Sequence, residues 1–423
     1  MSKVILSINA GSSSVKVSVF ANKPLASSTS EPTQLATISI TNITAPPAKL
    51  SYSRGDQKTK DEKVDSIKTS QDAYEHILKH LIEDSGLSEL SGPESIEFAC
   101  HRIVHGGDYT KPTRIDSDTL HHLEALSDLA PLHNAGALEI VQAVHKTCPQ
   151  TTNLAFFDSA FHSTLPESAK TYPINPDVAT KNKLRKYGFH GLSYAYIFRQ
   201  TAKFLGAYPP DVNLIALHLG SGCSIAAIRG GKSFDTSMGL TPLAGLPGAT
   251  RSGDIDASLI FHFTHEAGSP APGSTKEMHI TQAEQILNKE SGWQALTGTT
   301  DFGEIVKRMK DGDEKCKLAF DILVDRILGY IGAYYFKMEG EVTALVFAGG
   351  IGENSVELRE AILRRIKFLS FVPNWKVNEK PAEGVVVDLG YEIAEHRVLL
   401  CRTDEQAEMA RECLEVGEGM KKQ

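Results

Sequence analysis

Four groups of residues in this chain have the types and spacing that phosphate chemistry uses. The first is the stretch NAGSSSVK, residues 9–16, set between two apolar runs. Backbone N–H groups at a Gly/Ser turn can close on a phosphate, hydroxyls such as those of Ser12 and Ser14 add donors, and Lys16 adds charge. An ordinary Gly/Ser hairpin would use the same residues. A second copy lies near mid-chain in LHLGSGCSIAAI, where His218, Leu219, Gly220, Ser221 and Gly222 form the turn, and the duplication favours the phosphate reading. Neither is a Walker loop, because the nearest match, AAIRGGKS, has Ala226 where the first glycine is required.

In FAGGIGENS, Gly349, Gly350 and Gly352 stand between an apolar run and a helical pattern. Backbone bare of side chains can lie flat against a base or ribose, while Ser355 occupies the place of a dinucleotide fingerprint's third glycine. A nucleotide is expected there, or else close strand-to-helix packing. Arg102 in HRIVHGG and Arg251 in GATRSGDID could hold carboxylate or phosphoryl oxygens bidentately. Standing alone, Arg102 would read as a surface charge and Arg251 as a local ion pair with Asp254 or Asp256. Asp158, after LAFF, and Glu405, after HRVLL, are carboxylates at strand ends, suited to a magnesium ion; Glu405 reads equally as a helix N-terminal acid. His133, His190 and His218 are candidate donors to a phosphoryl group, with structural roles as the alternative.

These residues need elements to place them. Val4–Ile8 and Val15–Phe20 read as a strand hairpin, as do 214–219 and 224–229. Between them, ATISITNIT, AKLSYSR, IEFACHRIVHGG and TNLAFFDSAFH read as strands, and QDAYEHILKHLIED as an amphipathic helix. A helix is expected to start or break near Pro131, THEAGSPAPGSTKE reads as a surface loop, and a helix is expected to begin near Asn354 and Ser355 after a glycine turn. Alternating strands and helices give the α/β class, and two similar hairpins half a chain apart suggest duplicated lobes around a central cleft.

The totals agree. At 423 residues two domains are expected, and 41 % hydrophobic with 23 % charged residues allows a large core. A net charge of -8 argues against nucleic acid or anionic membrane as partner and for a small molecule. Six scattered cysteines and an opening MSKVILSIN too brief for a signal core predict a cytoplasmic protein.

Taken in order, NAGSSS, HRIVHGG, APLHN, YGFHGLSY, DTSMGLTPLAGL, TRSGDID and AGGIGENS resemble the acetate kinase family over most of the chain. The resemblance implies the two-lobed actin-like ATPase (ribonuclease H-like) fold, with a first lobe over 1–162 completed by a helix at 406–423. A nucleotide-binding and dimerisation lobe would span 163–405, in a homodimer. It implies reversible transfer of the ATP γ-phosphoryl group to acetate, giving acetyl phosphate and ADP, with Mg2+ or Mn2+. By similarity Asn9 and Glu405 hold the metal, Asp158 positions it or poises the reacting groups, and Arg102 binds the acid. His190 and Arg251 stabilise the transition state and His133 touches the phosphoryl oxygens. Val104, Leu132, Phe189 and Pro242 line the methyl pocket. The nucleotide side takes Lys16, His218 to Gly222, Asp301, Phe302, Gly303, Gly350, Ile351, Gly352, Glu353 and Asn354. Two positions depart from the family: Ser221 stands where asparagine is usual and Gly303 where arginine is common. They open pyrophosphate or phosphate as an alternative donor. The same motifs would serve a propionate or butyrate kinase. In a different class stands an actin-like chaperone or filament ATPase with no acid acceptor.

Overall fold

The computed structural model describes residues 3–11, 13–23, 31–126, 131–264, 266–272, 274 and 280–420. They fall into two compact units, residues 1–160 with 404–423, and residues 161–403. In the first, strands β1 (Val4–Ala10), β2 (Val15–Ala21), β3 (Gln34–Thr41), β4 (Ala48–Arg54), β5 (Gln57–Val64), β6 (Ile96–Ile103), β7 (Thr113–Arg114) and β8 (Thr152–Phe157) make one sheet. Its order is β5-β4-β3-β2-β1-β6-β8-β7. The second unit's sheet contains β9 (Asn213–Leu219), β10 (Cys223–Arg229), β11 (Lys232–Thr236), β12 (Ala344–Ala348), β13 (Val386–Asp388) and β14 (Arg397–Cys401), in the order β11-β10-β9-β12-β14-β13.

The two sheets share a five-strand plan. In each, an antiparallel meander (β3-β2-β1 or β11-β10-β9) is followed by two parallel neighbours, β6 and β8 in one and β12 and β14 in the other. The duplicated Gly/Ser turns are therefore equivalent corners of equivalent sheets. The central strand β12 is apolar throughout because both its faces are covered, and Ala344 to Ala348 are all fully buried. In α/β sheets ligands meet the carboxyl ends of such parallel strands. Asn9, Arg102 and Asp158 stand at or just past the ends of β1, β6 and β8, and His218 and Gly349 at those of β9 and β12.

Helices fix these strand ends. The helix Ser70–Glu83 starts at a Thr69–Asp72 capping box and buries Ala73, Tyr74, Ile77, Leu78 and Leu81 at 3–4-residue spacing. The 24-residue helix Glu314–Lys337, capped by Asp313, buries Leu323, Val324, Ile327 and Ile331 in the second unit's core, each contributing about 2 kcal/mol. The final helix, Glu405–Met420, packs on β1 and β6, and Gln406 Nε2 donates to the Ser7 carbonyl at 2.7 Å. That anchor brings Glu405 to the end of β1.

The glycine segment after β12 departs from expectation. The sequence predicts a turn with a helix from Asn354, but Gly349–Asn354 is itself a short helix, and Ser355 caps a second one, Val356–Arg365. The cause is Gly349, whose φ of +75° turns the chain from strand into helix within one residue. Of the expected loop THEAGSPAPGSTKE, the described part bridges Pro270 to Thr281, and the rest lies outside the described residues.

Candidate active site

In the first unit the ends of the parallel strands carry one ion cluster. Arg102 donates from Nε to Asp158 Oδ1 at 3.0 Å and from Nη2 to Oδ2 at 2.6 Å, a bidentate fork. Its Nη1 faces Glu405 Oε2 at 2.9 Å and Asn9 Oδ1 at 3.3 Å, and Asn9 Nδ2 donates to the same Glu405 oxygen at 3.0 Å. The Asp158 side chain is only 1 % exposed, against 17 % for Arg102 and 14 % for Glu405. Burial alone would lower the Arg102 pKa, but the Asp158 and Glu405 charges hold it above its ordinary value. Arg102 is thus no surface charge. Glu405 is at once the first residue of its helix and a member of this cluster.

Around it, Lys16 lies directly opposite Asn9 in the β1–β2 pair and is exposed, so both side chains leave the same face of the sheet. Gly11 N–H closes the turn on the Ser14 carbonyl at 2.8 Å. Ser12 lies outside the described residues, as do the side chains of Leu132 and His133, whose backbone belongs to the helix Pro131–Thr147. Val104, half-buried, follows β6 two residues after Arg102.

In the second unit His190 stands left-handed (φ +59°) at the start of the helix Gly191–Leu205 and stacks on His218 with ring centroids 4.1 Å apart. Its Nδ1 meets Ser224 Oγ at 2.8 Å. A Cβ added to Gly222 would stand 2.0 Å from Arg251 Nη2 and 3.7 Å from His190 Nε2, so this glycine makes room for both groups. Arg251 Nη1 also donates to the carbonyl of buried Pro242 at 3.3 Å. Asp254 and Asp256, its sequence neighbours, receive the Gly245 and Ser258 N–H groups. Buried Phe189 passes its carbonyl to His162 Nε2 at 3.0 Å. Ser221 accepts the Ala249 N–H at 2.8 Å, and Gly220 N–H bonds the Gly222 carbonyl.

A cavity of about 570 Å³ lies elsewhere in this unit. The helix Phe302–Lys310 supplies Phe302, Gly303, Lys307 and Lys310, and the glycine helix supplies Gly350, Ile351 and Asn354. Gly303, Lys307 and Lys310 recur at helical spacing and so share one face. A Cβ at Gly350 would meet nothing within 4 Å, leaving open wall. Asp301 lines the cavity while capping its helix through Gly303 and Glu304 N–H groups. Asn354 Nδ2 donates to the Gly350 carbonyl at 2.7 Å, and Glu353 accepts the Thr403 N–H. Gly352 and Glu353 carbonyls are held by fully buried Arg359. Leu219 and Gly352 lie behind the wall, where a Gly352 Cβ would sit 3.7 Å from Leu219. The sequence reading missed Lys307 and Lys310, Glu357, which also lines this cavity, and Arg359 and Ser224. An i, i+4, i+7 comparison with Gly303 would have found the lysines.

One consequence is testable at Gly349. Its Cβ would fall 2.7 Å from the Leu219 carbonyl, and its φ is positive. Gly349→Ala is expected to lose about 1–3 kcal/mol of stability and to weaken nucleotide binding, read by thermal melting and calorimetric titration. An unchanged melt would remove the strain argument.

With these sites in place, comparison with known proteins is decisive. The sequence profile described as the Acetokinase family matches residues 4–411. The chain belongs to the acetokinase family. It is accordingly a phosphotransferase with a carboxyl group as acceptor. A probable acetate kinase of Neurospora crassa is 51 % identical, over 99 % of this chain and 95 % of that one. The acetate kinase of Streptomyces coelicolor is 42 % identical over 80 % and 81 %. Among solved structures, Porphyromonas gingivalis acetate kinase matches with TM-score 0.81 and 31 % identity, covering 98 % of this chain and 99 % of that one. A propionate kinase from Francisella tularensis matches with TM-score 0.82 and 33 % identity over 97 % and 98 %. The two related sheets of the acetokinase chain are the actin-like plan. Among its described residues no helix is long and apolar enough to cross a membrane.

Proposed function

We propose that this acetokinase-family chain transfers the γ-phosphoryl group of ATP to acetate, reversibly and with magnesium. The observation that carries the choice of donor is the cavity on Gly350 and Ile351, whose roughly 570 Å³ suits a nucleoside. A pyrophosphate donor has no base or ribose to fill it.

An acetate carboxylate, with a pKa near that of an aspartate side chain, about 4, is ionised at neutral pH and needs no general base. Catalysis then reduces to positioning and charge neutralisation. Arg102 offers the charge that a carboxylate acceptor needs, and Asp158 holds the guanidinium in place rather than removing a proton. Arg251 and His190, crowded beside Gly222, suit the equatorial oxygens of the transferring group. The oxygen donors Asn9 and Glu405, with Asp158 adjoining, fit a hard cation held mainly through water and phosphates. Bound there, magnesium would neutralise phosphate charge. Lys16, Ser14 and His133 complete the phosphate contacts in this reading.

The acid side is expected to be small. Discriminating one methylene is worth about 1–3 kcal/mol, so Val104→Ala should raise the propionate-to-acetate ratio of kcat/KM by on the order of tenfold. An unchanged ratio would take Val104 out of the pocket. The reading includes a cytoplasmic homodimer. Six cysteines present as buried free thiols suit a reducing compartment, and Phe336, 83 % exposed, suits a partner surface.

The experiment is acyl phosphate formation, trapped as the hydroxamate, from acetate and magnesium with either ATP or pyrophosphate. Product with ATP alone supports the reading. Product only with pyrophosphate would overturn the nucleotide assignment, and no product with either would return the chain to an ATPase role.

A further inference from the structure

His190 carries a polar chain behind its ring. Its Nδ1 lies 2.8 Å from Ser224 Oγ, and that oxygen lies 2.5 Å from the hydroxyl of Tyr194, one turn into the helix that His190 begins. Ser224 and Tyr194 are both fully buried. Ser224 stands directly opposite His218 in the β9–β10 pair, and among the described residues Ser224 Oγ is the hydrogen-bond partner of the Tyr194 hydroxyl. A buried polar chain of this kind is satisfied only when every proton has an acceptor.

The protons can be followed along it. The buried phenol proton needs an acceptor, and Ser224 Oγ is the one it meets, so Tyr194 donates to Ser224. Ser224 holds one hydroxyl proton and has accepted one, and its own proton then goes to His190 Nδ1. The neutral ring therefore carries its proton on Nε2, the nitrogen on the Gly222 and Arg251 side. We propose that Tyr194 and Ser224 are positioning residues that fix His190 as the Nε2–H tautomer, making it a neutral hydrogen-bond donor to the transferring phosphoryl group. The catalytic half of this statement rests on the transfer proposed above, whereas the tautomer is a property of the folded chain alone.

An acceptor at Nε2 would face phosphoryl oxygens lone pair to lone pair. The relay excludes that state before substrate arrives, so no ring flip or proton exchange is needed during transfer. It also explains why an apolar strand, CSIAAIR, carries a fully buried serine at its second position. Burial pushes the Tyr194 pKa well above the ordinary phenol value, which keeps the phenol protonated and able to donate across the working pH range.

The test is imidazole 15N NMR on the full-length chain, with the His190 signals assigned by their loss in His190→Gln. Wild type is expected to show Nδ1 unprotonated and Nε2 protonated. A protonated Nδ1 in wild type would overturn the proposal without any variant having to fold. Tyr194→Phe removes the phenol proton while keeping the ring. It should move His190 towards the Nδ1–H form and lower kcat by on the order of tenfold, with KM for acetate and ATP within about twofold. A purely structural tyrosine would leave the tautomer as it is, and that result too would overturn the assignment. Absence of acyl phosphate from wild type, with the tautomer as expected, would count against the transfer reading and leave the relay standing.

Discussion

Arg251→Ala is expected to lower kcat by two or more orders of magnitude while leaving the fold intact. Removing one well-placed donor to developing charge typically costs about 3 kcal/mol or more where the donor is preorganised. The preorganisation is visible around the residue. Its carbonyl accepts the Gly248 N–H at 3.0 Å, its Nη1 reaches the Pro242 carbonyl, and Gly222 lacks the one atom that would collide with Nη2. The last contact supplies a control. Gly222→Ala places a methyl where the guanidinium now stands, and it should reproduce most of the Arg251→Ala loss with Arg251 still present. The check is kcat by coupled assay beside a thermal melt. A fast Gly222→Ala enzyme would mean that the guanidinium position does not matter.

Removing Arg102 should do something different, because Arg102 holds the ion cluster together and, in the proposed reading, also binds the acid. Arg102→Ala takes this cation away from Asp158, 1 % exposed, and from Glu405. Breaking a buried pair from one side costs about 3–5 kcal/mol, so the melting temperature should fall along with a turnover loss of at least two orders of magnitude. Arg102→Lys keeps the charge and loses the fork, and should restore much of the stability with little of the activity. If Arg102→Ala melts like wild type, the ion cluster is not the energetic feature that its geometry implies. If Arg102→Lys is fully active, the bidentate geometry is not needed.

The chemistry-bearing motifs were legible wherever glycine, a charge and an apolar run coincide. NAGSSSVK and LHLGSG read as turns between strands, and they occupy matching corners of the two sheets. HRIVHGG and LAFFD read as strand ends, and their charges meet as Arg102 and Asp158. Partners that resemble ordinary surface or core were not legible. Lys307 and Lys310 look like the solvated face of an amphipathic helix, since only the fold reveals the glycine helix across the cavity. Ser224 and Tyr194 sit in apolar company where a hydroxyl carries no pattern, and a relay depends on side chains brought together from distant strands and helices. β5, QKTKDEKV, escaped for another reason: it is an edge strand with no buried side chain, so it has no alternation to detect. Arg359 shows the converse, a charge in an apparently exposed helix that is fully buried against the Gly352 and Glu353 carbonyls. There burial drives its pKa down to about 10.

The central claim is that an ionised carboxylate attacks the γ-phosphorus directly, with the protein contributing charge and position but no covalent step. The measurement that tests it most directly is the stereochemical course of transfer from ATP made chiral at the γ-phosphorus by oxygen isotopes. A single in-line displacement predicts inversion of configuration in the acetyl phosphate formed. Retention would require two displacements through a phosphorylated side chain, and would contradict the assignment of Arg102, Arg251 and His190 to charge and positioning alone.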